Sequence, residues 1–142
     1  MVLDHHLIAI AVRWLHVAAM AMALGGALLV AWLAFREPAD RVVGVALRYE
    51  QAFWLAAGVL VMTGVGNLGA FGPDLPQPAT GWGATFIWKL LLVAAIVVGS
   101  LPRTLAVALP GIPVAAALRW MYAGTAAGLV MIAGLAVLLA HG

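Results

Sequence analysis

Of 142 residues, 66% are hydrophobic and 8% charged, and the mean hydropathy is +1.13. Soluble domains are about half apolar and a quarter charged, so a surface facing water on all sides is excluded. Seven Lys/Arg stand against five Asp/Glu; without a basic cluster, the pI of 9.7 does not point to nucleic acid. Cysteine is absent, which excludes disulfides, thiolate metal sites, c-type haem attachment and CxxC redox chemistry.

Four apolar segments each exceed the roughly 20 residues that cross a bilayer core. They run from about 7 to 35, 42 to 69, 84 to 109 and 114 to 140. The expected fold is therefore all-α, an integral membrane four-helix bundle in one domain. The opening MVLDHH lacks Lys and Arg, and its apolar run is longer than a secretory h-region, so a retained helix is expected. Glu37-Pro38-Ala39-Asp40 makes the first turn, with Asp40 as candidate N-cap. Residues 71–78 form the longest polar stretch, and Pro110-Gly111-Ile112-Pro113 closes the third segment, which Pro102 can kink or end earlier. Arg36, Arg41 and Arg103 flank the two tight turns and Arg48 and Arg119 lie near them, whereas residues 70–83 carry no Lys or Arg. The positive-inside rule then puts both termini on the outer side of a bacterial-type inner membrane.

Ionisable side chains within a bilayer are functional candidates by default. Arg13 lies roughly 9 Å in from the outer helix start, Lys89 roughly 8 Å and His16 roughly 13 Å. Two cations thus lie above one imidazole, and Arg13 and His16 share a helix face at i and i+3. This layering suits b-type haem: His16 as a ligand to iron, Arg13 and Lys89 for the propionates. Met62, roughly 10 Å deep, and Met131, roughly 13 Å deep, are candidates for a second axial ligand. Met20, a turn beyond His16, suits copper(I) as well as haem packing. Snorkelling cations and an imidazole bonded to a neighbouring helix are the structural alternative.

His5, His6 and His141 would meet near the termini, as imidazole clusters that suit copper(II), zinc or nickel do. Glu50, roughly 12 Å into the second segment, is expected to pair with Arg119 or Arg48, with proton relay as the sharper alternative. Trp54, Trp120, Tyr49 and Tyr122 on the inner side read as an interfacial belt, as do Trp82, Phe86 and Trp88 on the outer. P-loop, HExxH, GxSxG and dinucleotide fingerprints are missing from the sequence.

Arg13-Trp14-Leu15-His16 followed by Gly25-Gly26 resembles the first helix of copper-resistance D-type membrane proteins. Trp88-Lys89-Leu90 is similar to the Lys-containing helix of the related HemJ-type protoporphyrinogen oxidases, small four-helix haem proteins. The resemblance implies that His16 and Lys89 act as a pair. The polar, His-containing end of helix one in the HemJ type has no counterpart in Trp32-Leu33-Ala34-Phe35-Arg36, so protoporphyrinogen oxidation does not carry over with it.

The expectation is a membrane-embedded haem b protein for electron transfer or haem-dependent redox chemistry. Copper handling and a cofactor-free subunit of a membrane complex stay open beside it. The partners implied are the lipid bilayer and a membrane redox partner or quinone, with a homo-oligomer also open.

Overall fold

A computed structural model describes the backbone of residues 2–69, 79–109 and 115–141, and the side chains of 6–65, 79–109 and 117–140. The expected proline-rich loop at 71–78 and the turn at 110–113 lie outside these residues. Four helices account for nearly all the rest: α1 (Val2–Arg36), α2 (Ala39–Gly69), α3 (Gly81–Ala108) and α4 (Ala115–His141). Each is long and apolar enough to cross a membrane, with spans His6–Arg36, Ala39–Val65, Gly81–Ala108 and Ala117–Ala140. The chain is a multi-pass membrane protein, and its many exposed Leu, Val, Ile, Met and Trp side chains face the bilayer rather than water.

Local chemistry sets the helix ends. Only Glu37 and Pro38 separate α1 from α2, and the Glu37 amide donates back to the Leu33 carbonyl at 2.7 Å. Proline has no amide to continue α1 but fits just before a helix start. Helix α2 therefore begins at Ala39, and Asp40 sits inside its first turn rather than as its N-cap, where a carboxylate still favours the helix dipole. The cap appears on α3 instead, where the Thr80 hydroxyl accepts from the Gly83 amide at 3.0 Å. Pro102 does not end α3, which continues through it to Ala108.

The helices form a ring. Helix α1 packs along α2 and α4, and α4 also packs along α3; the α2–α3 seam is much the slightest of the four. The tight side is built from small residues. Ala19, Ala23, Ala27 and Ala31 recur every fourth residue on α1, with Ala46 and Ala56 on α2 and Ala126 on α4, all buried. Lipid tails are as apolar as leucine, so helix association in a bilayer relies on close packing and hydrogen bonds, which small residues permit.

Gly26 shows the requirement most sharply, because a Cβ there would collide with the Tyr49 ring. The Tyr49 hydroxyl donates to the Ala23 carbonyl at 2.8 Å, holding the ring in that position. Gly25, one residue earlier, has open space at the same point. Gly26→Ala is therefore expected to lower stability by about 1–3 kcal/mol through overpacking. Gly25→Ala should be neutral or stabilising by up to about 1 kcal/mol. Thermal unfolding of the two variants in detergent separates these outcomes.

Candidate functional site

The interior divides at Phe53. On the side of the tight turns lies a buried polar clamp, and on the side of the termini lies a cavity.

Glu50 and Arg103 make the clamp. Arg103 donates from Nε to Oε1 at 2.8 Å and from Nη2 to Oε2 at 3.2 Å, a two-pronged ion pair between α2 and α3. Tyr122 of α4 donates its hydroxyl to Oε1 at 2.6 Å, and the Thr104 hydroxyl donates to Oε2. Each carboxylate oxygen thus accepts two hydrogen bonds, which fills the capacity of an ionised carboxylate. Arg103 also donates from Nη1 to the Thr125 hydroxyl at 2.6 Å. Its guanidinium carbon lies 4.5 Å from the ring centroid of Phe53, 4.9 Å from Tyr122 and 5.5 Å from Tyr49, a cation held among aromatic faces. Trp54 adds a further α2–α3 tie by donating to Thr104 at 3.0 Å.

Three expectations change here. Glu50 pairs with neither Arg119 nor Arg48 but with Arg103, which is fully buried and does not flank the third turn. Tyr49 and Tyr122 are core residues, not members of an interfacial belt. With both carboxylate oxygens engaged, Glu50 ties α2 to α3 and α4.

Above Phe53 the slight α2–α3 seam leaves a cavity of about 530 Å³, within the range of ordinary ligand sites. Its body is apolar, with Leu60, Val61, Val93, Ile96, Leu129 and Ile132 among the lining residues. Arg13, His16 and Lys89 all line it, as does Met20. Among the described residues neither Arg13 nor Lys89 has a carboxylate partner. Trp82 and Phe86 stack at 5.5 Å on the cavity wall, and Trp82 donates to the Leu139 carbonyl at 3.0 Å, pinning the start of α3 to the end of α4.

His16 is oriented by a residue the sequence reading did not single out. Its Nδ1 lies 2.7 Å from the Thr63 hydroxyl. The same hydroxyl also lies 2.7 Å from the Val59 carbonyl and 3.3 Å from the Leu60 carbonyl. When its one proton is on the Val59 carbonyl it accepts from Nδ1, and in that tautomer Nε2 keeps the bare lone pair with which histidine binds a metal ion.

Other candidates fall elsewhere. Met62 and Met131 are 76% and 59% exposed on the lipid-facing surface and do not line the cavity. His6 is exposed, while the side chains of His5 and His141 lie outside the described residues. No group of three or more His, Cys, Asp or Glu gathers among the described residues. Trp88 and Trp120 are exposed as interfacial residues should be, whereas Trp82 and Phe86 belong to the cavity wall.

Removing one member of a buried ion pair strands the other charge, at a cost of about 3–5 kcal/mol, whereas replacing both by apolar residues can be near neutral. Glu50→Leu and Arg103→Met are each expected to destabilise severely, and Glu50→Leu with Arg103→Met much less than the two single effects combined. Thermal unfolding through a double-mutant cycle measures that coupling.

Comparison with protein-family models, with curated proteins and with solved structures gives no match.

Proposed function

We propose that this chain is a membrane-embedded haem protein for electron transfer or haem-dependent redox chemistry, with a b-type haem in the α2–α3 cavity. His16 is its iron ligand through Nε2, and Arg13 and Lys89 hold its propionate carboxylates. The observation that carries the reading is that His16, held at Nδ1 by the Thr63 hydroxyl, lines an apolar cavity together with Arg13 and Lys89.

The donor set fits the group. A macrocycle with an apolar body and two acidic arms matches an apolar cavity lined by two cations that lack carboxylate partners among the described residues. Haem supplies one-electron chemistry when bound. The chain's own part is to hold His16 through Thr63, keep water from the apolar walls and fix α3 to α4 through Trp82. The resemblance to HemJ-type proteins, in which a helix-one His and a helix-three Lys act as a pair, points the same way. A quinone in the bilayer is a suitable exchange partner, reached through the slight α2–α3 seam. Exposed Arg36, Arg41 and Arg48 near the tight turns favour an orientation in a bacterial-type inner membrane with both termini outside.

Titration of the detergent-purified protein with haemin tests this. The wild type should bind one equivalent and develop a Soret band. Arg13→Gln and Lys89→Gln should each weaken binding by about 10- to 100-fold, the loss of one charge-assisted contact. Thr63→Val should weaken it by a similar factor, as loss of the partner that orients a ligating histidine does. A protein that stays colourless with haemin yet binds copper in stoichiometric amount would turn the assignment to copper handling.

A further inference from the structure

At the opposite end of the bundle, two arginines from different helices stand among exposed aromatic rings. Arg36 closes α1, and its guanidinium carbon lies 5.7 Å from the ring centroid of Trp32. Arg119, near the start of α4, lies 5.8 Å from the ring centroid of Phe35. Phe35 in turn meets Trp120 edge to face at 5.6 Å. Trp32, Phe35 and Trp120 are all more than half exposed, an aromatic patch at the end of α1 and the start of α4.

Neither arginine has an acidic partner among the described residues. Glu37, the nearest carboxylate in sequence, is engaged by Arg41 at 2.9 Å. Arg119 Nε is also the one buried side-chain nitrogen or oxygen without a hydrogen-bond partner among the described residues. Buried donors are nearly always satisfied, so a guanidinium in this state calls for an acceptor. Position narrows the kind of acceptor. Arg36 is the last residue of α1 and Arg119 the fifth of α4, so both belong to the tight-turn end of the bundle, beside two tryptophans of a kind enriched at membrane interfaces.

We infer that the α1–α4 seam at the tight-turn end binds the phosphate of an anionic phospholipid between Arg36 and Arg119. Guanidinium groups match phosphate oxygens in paired hydrogen bonds, and basic sites between membrane helices on the cytoplasmic side bind anionic headgroups. Phe35 touches both Arg119 and Trp120, and exposed Trp32 and Trp120 offer apolar surface beside the two cations. This site is independent of the cavity and of the haem reading. General attraction to a negative surface acts equally on any exposed arginine near that face, so Arg48, exposed on α2 and outside the aromatic patch, is the internal control.

The test is thermal unfolding of delipidated protein in neutral detergent, with added phosphatidylglycerol, phosphatidylcholine or inorganic phosphate. Phosphatidylglycerol is expected to raise the midpoint saturably, while the other two leave it unchanged. Arg36→Gln with Arg119→Gln should raise the half-saturating phosphatidylglycerol concentration at least about tenfold, two charge-assisted contacts being lost. Arg48→Gln should leave it unchanged. If the double variant fails to fold, Arg36→Gln alone, at an exposed position, should still shift it severalfold and Arg36→Lys less. An equal response to phosphatidylcholine overturns the inference, as does an equal response to inorganic phosphate. An unshifted titration in the arginine variants, or a matching shift in Arg48→Gln, overturns it too.

Discussion

The bundle depends on one ion pair that a bilayer makes both costly and hard to replace. Between membrane helices there is no hydrophobic drive to compare with that in water. Helices α2 and α3 share little packed surface, so their union rests on Glu50, Arg103, Thr104 and Trp54. The carboxylate accepts four hydrogen bonds and the guanidinium is enclosed by three aromatic rings. Satisfied in this way, the pair offsets its desolvation; with one partner missing it would not.

From that clamp follows the shape of the other half. Phe53 contacts the Arg103 guanidinium and also lines the cavity, so the polar tie and the apolar chamber share a wall. Closing the seam at one end by hydrogen bonds lets it stay open at the other without the helices drifting apart. Trp82 holds the far end through the Leu139 carbonyl. The chamber is thus bounded at both ends by directional bonds, while its sides are van der Waals surface. Walls fixed in this way are preorganised, which lowers the cost of ordering on binding.

The sequence was informative about depth and poor about direction. Four spans were legible because continuous apolar runs of that length have few other uses. Arg13, His16 and Lys89 were legible as one layer because helical rise turns residue number into depth. The rotational position of a residue was not, since the lipid-facing and core-facing sides of these helices are both apolar. Met62 and Met131 illustrate the error. Each is one residue from a true inward position, Thr63 or Ile132, and one residue on a helix is about 100° of rotation. Arg103 was misread for a related reason: five residues before the end of α3, a cation can either snorkel outward or turn inward, and only its partners decide. Thr63 carried no motif at all. A sharper rule would have searched for polar residues at the depth of His16 on the neighbouring helix.

The central claim is that His16 presents a bare imidazole nitrogen to a haem in the cavity. Its most direct test is chemical rescue in His16→Gly, a change that removes the ring and leaves room for a free imidazole. The account predicts that the variant exposed to haemin shows a weak or absent Soret band, and that added imidazole restores the wild-type spectrum. A His16→Gly protein that binds haemin with an unaltered spectrum in the absence of imidazole would contradict it.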